Sequence, residues 1–319
     1  MRNKRVHRYY FFSINCLLLL TLLSSSVFAN EKLNVTPEIA ESEALAINKA
    51  CKTIAKKLAS VSFAECSNLN LQPLAFSQNQ FPLLLKEFPP LGKKQPKGKV
   101  LLIGGIHGDE YSSISVTFKW LNILTKHHSG LFHWKISPLV NPDGLLRKKS
   151  QRTNSNQVDL NRNFPSSEEA QAHIDYWEKE THSDPRRYPG TQPLSEKETQ
   201  WLSDLINQFK PDVIVSVHAP FGLVDFDGQA NNTPTKKAKP PSHLGPLHLH
   251  LLGTYPGSLG RYGSEIINIP VITVELEYAG IMPSNHDINK IWVDLVAWLR
   301  KYLSEQRSSI ASHPVATEQ

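Results

Sequence analysis

Two histidines and a glutamate follow short apolar runs, where their side chains can meet around one metal ion. His107 and Glu110 stand three residues apart after the run at residues 100–103, and His218 directly follows the run at residues 213–217. Imidazole nitrogens and carboxylate oxygens are ligands of zinc, and a catalytic zinc site keeps three protein ligands and one open position. The His-x-x-Glu spacing alone is a weak signal, but together with His218 it predicts a zinc site.

Four apolar runs of strand length could position these side chains. They lie at residues 100–103, 134–140, 213–217 and 271–274, and polar residues follow each of them: His107, Asn141, His218 and Glu275. Stretches with helical spacing of apolar residues lie between and after the runs, at residues 113–124, 195–209 and 288–303. Alternating strands and helices indicate an α/β domain with a largely parallel sheet. Because such sheets bind ligands beyond the carboxyl ends of their strands, we expect the four polar side chains at one rim.

A second group of polar motifs lies between the two histidines. Asn-Pro-Asp-Gly occupies residues 141–144, Arg152 follows, and Asp-Leu-Asn-Arg-Asn-Phe occupies residues 159–164. In this order, with the three candidate ligands and with Thr-Val-Glu-Leu at residues 273–276, the motifs resemble the zinc carboxypeptidase family. The resemblance covers roughly residues 97–300. It implies a three-layer α/β sandwich with a mixed, largely parallel central sheet.

The resemblance implies a metal centre and a base. His107, Glu110 and His218 match the ligands that hold one Zn²⁺ per chain. Glu275 matches the general base, which takes a proton from the attacking water and passes it to the leaving amine. Glu277 stands two residues further on and would face the same side of a strand, but Thr-Val-Glu-Leu matches the family at Glu275.

The resemblance also implies three side chains that act on the substrate. Arg152 matches the arginine that polarises the scissile carbonyl and stabilises the charge developing in the transition state. Lys149, three residues earlier, is a second candidate for that role. Asn161 and Arg162 match the pair that binds a substrate carboxylate, a planar partner that a guanidinium can bind bidentately.

The resemblance points to the compact bacterial branch of the family, whose members cut the bond between γ-D-glutamate and meso-diaminopimelate in murein peptides. It implies a small, murein-derived peptide as the substrate. Leu259, in the segment that resembles the lining of the substrate pocket, offers no anion and gives no basis for a strict preference for Lys or Arg side chains.

Two other functions remain open at this point. A zinc deacylase like the aspartoacylase and succinylglutamate desuccinylase group shares the ligand set and an Asp-Leu-Asn-Arg run. The Asn-Pro-Asp-Gly motif and the Thr-Val-Glu-Leu segment favour a carboxypeptidase or amidase instead. A catalytically silent module that binds wall peptides would usually lack a ligand or the base, whereas this sequence has the whole set.

The first 29 residues have the three-part layout of a secretory signal peptide. Four cationic residues precede an apolar run at residues 11–23, and small residues lead to a predicted cleavage after Ala29. An uncleaved anchor is the alternative, but that run is shorter than the roughly 20 residues a spanning helix needs. We therefore predict a periplasmic or secreted protein with no stable membrane anchor. Without this segment the formal charge falls from +6 to +2, which gives no reason to propose nucleic acid as a partner.

The remaining chain is predicted to divide into three parts. Residues 30–96 form an accessory segment, residues 97–305 the catalytic domain and residues 306–319 a flexible tail. Prolines at positions 82, 89, 90 and 96 are expected to break regular structure in the accessory segment. Cys51 and Cys66 form a plausible disulfide in an oxidising compartment, with two buried thiols as the alternative.

Overall fold

A computed structural model describes residues 37–93, 95–228 and 239–312 of the chain. The predicted signal peptide lies outside these residues. Among the described helices, none combines the length and the apolar character that a membrane crossing requires. The helices are α1 (Pro37–Lys57), α2 (Phe63–Ser67), α3 (Tyr111–His127), α4 (Pro142–Leu145), α5 (Ala170–Glu180), α6 (Lys197–Phe209), α7 (Leu259–Arg261) and α8 (Asn285–Ser312). The strands are β1 (Gln72–Phe76), β2 (Pro82–Phe88), β3 (Lys99–Gly104), β4 (His133–Ser137), β5 (Val213–His218), β6 (Leu223–Asp227), β7 (His243–Leu244), β8 (Leu247–Leu249) and β9 (Val271–Glu275).

The described strands form one mixed sheet in the order β1-β2-β4-β3-β5-β9-β6-β8-β7. Its centre, β4-β3-β5-β9, is parallel throughout. Antiparallel pairs flank this block, with β2 against β4 on one side and β6 against β9 on the other. The predicted α/β fold with a mixed, largely parallel central sheet is confirmed.

Helices cover both faces of the sheet, which makes the fold a three-layer sandwich. Along β3, Val100 and Leu102 pack into a core that α1, α3 and α8 share, while Leu101 and Ile103 pack into a second core with α6 and α7. Side chains alternate between the two faces of a strand, so a strand covered on both sides must be apolar at successive positions. The apolar run at residues 100–103 is continuous because β3 is buried on both of its faces.

The amino-terminal part of the chain contributes two strands to the sheet, although its prolines were expected to break regular structure there. β2 begins at Pro82 and pairs with β4, and β1 pairs with β2 as the outermost strand on that side. Proline is tolerated at the first residue of a strand, where its missing N–H costs no ladder hydrogen bond. The segment interpreted as accessory therefore extends the central sheet. At the other end, α8 continues to Ser312, beyond residue 306 where we predicted a flexible tail.

A disulfide joins Cys51 in α1 to Cys66 in α2, with their Cα atoms 5.5 Å apart. Both cysteines are buried in the core beneath α1 and α3. The covalent bond therefore fixes the two amino-terminal helices against each other.

Candidate active site

Two neighbouring parallel strands place the two histidines beside each other. β3 and β5 pair with Gly104 opposite Val217, and His218 is the last residue of β5. After β3, Gly105 adopts a φ of 62°, a left-handed conformation that favours glycine, and turns the chain toward His107. Glu110 stands at the amino end of α3, but its side chain does not cap the helix and points to the histidines instead.

The three candidate ligands converge. His107 Nδ1 lies 2.7 Å from Glu110 Oε1 and 3.2 Å from His218 Nδ1, and His218 Nδ1 lies 3.3 Å from Glu110 Oε2. Zinc–nitrogen bonds of about 2.0–2.1 Å in a tetrahedral arrangement separate two ligand atoms by about 3.3 Å. All three residues are buried, and one ligand atom from each lies within 4.8 Å of the others. The donor set therefore fits Zn²⁺.

Asp159 orients His107, a role that its sequence motif did not reveal. Its carboxylate is fully buried, and Oδ1 lies 3.2 Å from His107 Nε2. With Nε2–H donating to this carboxylate, His107 Nδ1 carries the lone pair on the side of Glu110 and His218. Burial raises the pKa of Asp159, but the charges of Arg152 and His107 outweigh it and hold the pKa below the usual carboxyl range.

Replacing Asp159 with Asn should lower the affinity for zinc by about 10- to 100-fold, the usual cost of losing the carboxylate behind a histidine ligand. Competition with a metal chelator measures this affinity directly. Asp184→Asn, which changes a half-exposed carboxylate in the lining of the same cavity, is the matched control. An Asp159→Asn protein with the affinity of the unmodified protein would contradict the orienting role.

Arg152 lies beside the same cluster. Its Nε donates to Asp159 Oδ2 at 2.8 Å, and its Nη1 lies 3.2 Å from His107 Nδ1 and 3.7 Å from Glu110 Oε1. Lys149, the other candidate for polarising a carbonyl, is exposed and does not line the active-site cavity. The placement of the two side chains favours Arg152.

Asn161 and Arg162 lie on a 3-10 turn over Leu160–Arg162 and line the cavity. Asn161 Oδ1 accepts a hydrogen bond from the Leu259 amide at 2.8 Å. Arg162 is 8 % exposed, its guanidinium lies 4.7 Å from the centre of the Tyr255 ring, and its Nε has no hydrogen-bond partner among the described residues. A buried donor without a partner is costly, so this guanidinium suits an incoming anion.

Glu275 ends β9, opposite His218 in the parallel pair. It is 7 % exposed, and within the described part of the chain its Oε2 has no hydrogen-bond partner. Burial raises the pKa of Glu275, and the nearby Glu110 carboxylate adds to that rise. Glu277, the alternative base, is exposed and lies outside the cavity.

The Asn-Pro-Asp-Gly motif holds the loops around the site together. Asn141 is fully buried, and its side-chain amide donates to the backbone carbonyls of Ile106 and Arg152. Its carbonyl accepts the Gly144 amide and caps the short helix α4. The motif is a turn, as its residue types indicated, and it also braces the two segments that carry His107 and Arg152.

All seven predicted site residues line one cavity of about 430 Å³, a size suited to a small ligand. A His-Glu-His cluster, two arginines and a carboxylate with one oxygen that has no hydrogen-bond partner among the described residues line one cavity, which is the arrangement of a metal-dependent hydrolase. The zinc carboxypeptidase family matches residues 66–242, more than half of the chain, and the chain belongs to that family.

Similar proteins agree with this assignment. The chain is 35% identical over 144 residues to murein peptide amidase A of Escherichia coli, an alignment that covers 43% of this chain and 55% of that protein. It is 29% identical over 211 residues to murein peptide amidase A of Vibrio campbellii, covering 65% and 79% of the two chains. The chain thus spans about half the length of the Escherichia coli relative.

The fold also matches solved structures. Bovine thrombin-activatable fibrinolysis inhibitor, in complex with tick carboxypeptidase inhibitor, aligns with a TM-score of 0.53 at 19% identity. The alignment covers 74% of this chain and 90% of that chain. At this identity the likeness shows a shared fold.

Proposed function

We propose that the protein is an exported zinc-dependent carboxypeptidase or amidase that hydrolyses the amide bond next to the C-terminal residue of short murein peptides. The bond we assign is the one between γ-D-glutamate and meso-diaminopimelate. The observation that carries the proposal is the convergence of a His-Glu-His cluster, Glu275 and Arg162 in one cavity. In the part of the chain that the structure describes, Glu275 Oε2 and Arg162 Nε are buried without a hydrogen-bond partner. The similarity to two murein peptide amidases supports the substrate class.

Hydrolysis requires a nucleophilic water and stabilised charge on the carbonyl oxygen. A zinc ion at His107, Glu110 and His218 would supply Lewis acidity and lower the pKa of water. Glu275 lines the cavity and its Oε2 has no hydrogen-bond partner among the described residues, so this oxygen can accept the proton of the attacking water and return it to the leaving amine. Arg152, fixed by Asp159, is positioned to stabilise the negative charge that develops on the carbonyl oxygen.

The position of Arg162 explains why the enzyme would hydrolyse the last amide bond of a peptide. Arg162 and Asn161 line the cavity that the metal ligands share, so a carboxylate bound there holds the preceding amide near Glu275. Because the guanidinium is buried, a chain that continued past this point would leave it without an anionic partner. The arrangement favours a free C-terminal carboxylate over an internal bond.

The substrate is tested by incubating the zinc-loaded protein with L-Ala-γ-D-Glu-meso-diaminopimelate and with simple N-acylated amino acids, and identifying the products by mass. We expect release of diaminopimelate from the tripeptide, with little hydrolysis of the acylated amino acids. Preferred hydrolysis of the acylated amino acids would favour a deacylase instead. Tight binding of the tripeptide without cleavage would favour a silent binding module.

Replacing Arg162 with Ala should lower kcat/KM for the free tripeptide by about 10- to 100-fold, because a hydrogen bond to a charged group contributes about 1.5–3 kcal/mol. The loss should appear mainly as a higher KM. The tripeptide with its C-terminal carboxylate blocked as an amide should be a poor substrate for the unmodified protein and should lose little further activity in the variant. Arg300→Ala, an exposed change on α8, is the control. Equal hydrolysis of free and amidated tripeptide by the unmodified protein would rule out the carboxylate-binding role.

Export is part of the same proposal and has its own test. The layout of residues 1–29 and the disulfide between α1 and α2 both favour an oxidising compartment outside the cytoplasm. Expression of the full chain should yield a periplasmic protein whose amino terminus is Asn30. A full-length protein that remained in the cytoplasm or in the membrane fraction would contradict this.

A further inference from the structure

Helix α5 packs behind the arginine that we assign to the substrate carboxylate. Among the residues of α5, His173 is the buried one, with 3 % exposure. Its ring hydrogen-bonds to the backbone of Arg162, and its Nε2 lies 2.6 Å from Ser166 Oγ. His173 lies outside the motifs that carry the resemblance to the zinc carboxypeptidases, and no step of the proposed hydrolysis uses it.

The hydrogen bonds of His173 determine which of its ring nitrogens carries the hydrogen. The bond to the Arg162 backbone raises the pKa of His173, as a carbonyl acceptor does. Because Nε2 faces Ser166, Nδ1 is the nitrogen that donates to the Arg162 carbonyl, and the Ser166 hydroxyl donates to Nε2. Burial is the largest influence on the imidazole and lowers the pKa of His173, which agrees with a neutral ring that holds one N–H.

A glycine packs into the same contact. Gly257 has a φ of 75°, which favours glycine, and a Cβ at this residue would collide with the Arg162 carbonyl and lie 3.0 Å from His173 Nδ1. The Gly257 carbonyl accepts the Phe164 amide at 3.0 Å. The His173 ring, the Gly257 backbone and the Arg162 carbonyl therefore pack against one another.

The same face of α5 also supports the aromatic ring beside the guanidinium. Tyr176 lies three residues after His173, so the two side chains are neighbours on the helix surface. The Tyr176 ring packs edge-on against Tyr255, with the centroids 5.9 Å apart. The Tyr255 ring in turn lies 4.7 Å from the Arg162 guanidinium. α5 therefore supports Arg162 at its backbone through His173 and at its guanidinium through Tyr255.

The orientation of the Arg162 guanidinium depends on these supports. Its Nη1 donates to the carbonyl of Asn161, the preceding residue, at 2.6 Å, and its Nε has no hydrogen-bond partner among the described residues. A guanidinium binds a carboxylate bidentately only when its N–H groups face the two oxygens. Holding such a group in its binding orientation before the ligand arrives lowers the cost of binding.

We propose that His173 is a positioning residue for the carboxylate-binding site. Its Nδ1–H holds the Arg162 carbonyl, and through the backbone the guanidinium, in the orientation that binds the C-terminal carboxylate of the substrate. Ser166 supports this role by keeping the hydrogen on Nδ1. The inference rests on the proposed carboxypeptidase or amidase function, because that function assigns the carboxylate to Arg162. Loss of the imidazole should therefore weaken substrate binding and leave the chemical step at the metal site unchanged.

Two substitutions at His173 test this role. His173→Leu should raise KM for L-Ala-γ-D-Glu-meso-diaminopimelate about 5- to 10-fold with kcat within about twofold, as expected when a buried carbonyl loses its donor. Cleavage of the tripeptide with its C-terminal carboxylate blocked as an amide should change by less than about twofold, because that peptide lacks the charged partner of Arg162. His173→Asn should restore KM, because its side-chain amide can donate close to the position of Nδ1–H. Lys179→Ala, at a side chain of α5 that is 69 % exposed, is the control.

A role in stability alone would give a different pattern. Equal impairment of the free and the amidated tripeptide in His173→Leu would overturn the inference, as would a His173→Asn protein no better than His173→Leu. If His173→Leu does not fold, Ser166→Ala decides, because it leaves the imidazole in place and frees its tautomer. We expect Ser166→Ala to raise KM for the free tripeptide about two- to fivefold, and an unchanged KM would contradict the positioning role.

A binding measurement separates this inference from the function beneath it. Calorimetry of meso-diaminopimelate, the expected product, with the zinc-loaded protein should show about 5- to 10-fold weaker binding to His173→Leu and unchanged binding to Lys179→Ala. If the tripeptide is cleaved but neither KM nor this affinity changes in His173→Leu, the positioning role fails and the hydrolase stands. If the tripeptide is not cleaved but the affinities follow the expected pattern, the hydrolase proposal fails and the positioning role stands.

Discussion

Replacing Glu275 with Gln should lower kcat by about 10²- to 10⁴-fold while the protein still binds one zinc per chain. General-base catalysis contributes a factor of this size, and an amide cannot accept the proton. Glutamine is nearly isosteric with glutamate and keeps an amide oxygen that can accept the backbone hydrogen bond at Phe221, so we expect the fold to be retained. Steady-state kinetics on the tripeptide, with zinc content measured on the same sample, gives both quantities.

The second glutamate of this segment supplies a matched control. Glu277 is exposed two residues beyond Glu275, so Glu277→Gln should retain nearly full turnover. Should Glu275→Gln work at a normal rate with zinc bound, another group must move the proton. Should Glu277→Gln be the inactive variant, the assignment of the two carboxylates is reversed.

Replacing His218 with Ala should abolish stoichiometric zinc binding. His218 supplies one of three converging ligand atoms, and its Nδ1 lies 3.2 Å from His107 Nδ1. Removing a ligand should lower the affinity for zinc more than removing a residue that only hydrogen-bonds to a ligand, which costs about 10- to 100-fold. The zinc content after dialysis, measured by elemental analysis, should fall from one zinc per chain in the unmodified protein to nearly none in the variant.

Thermal unfolding gives a readout for this variant that does not depend on turnover. A ligand present at 100 times its Kd stabilises the folded state by about 2.7 kcal/mol, so zinc should raise the Tm of the unmodified protein. The Tm of His218→Ala should not respond to zinc. His286→Ala, at a histidine whose side chain is 84 % exposed, should behave like the unmodified protein. A zinc-dependent rise in the Tm of His218→Ala would place the metal elsewhere.

The parts of the fold that the sequence predicted are those that local patterns specify. The apolar run at residues 100–103 is readable because a strand covered on both faces must be apolar at every position. His107 and His218 were identifiable because each follows such a run. β1 and β2 were not predicted, because Pro82 gave a local signal against a strand and the pairing with β4 depends on residues about 50 positions away.

Contacts between distant residues explain what was missed in the site. Asp159 lies in a recognisable motif, yet its contact with His107 spans 52 positions and leaves no trace in either local segment. Asp225 and Asp227 also line the cavity, but they belong to β6, a strand of five residues, and a sequence this short does not distinguish a buried pocket from a solvated edge. The register of β6 against β9 places Asp225 opposite Thr273 and Asp227 opposite Val271, further along the sheet than Glu275.

The covalent link between the two amino-terminal helices has a practical consequence for anyone preparing the protein. A cystine forms where glutathione and thioredoxin do not keep thiols reduced. Material folded in a reducing cytosol would carry free sulfhydryls at Cys51 and Cys66 and would lack the cross-link between α1 and α2. Because α1 packs in the same core as α3, the helix that begins next to Glu110, counting sulfhydryls is a sensible check of each batch before its metal content is measured.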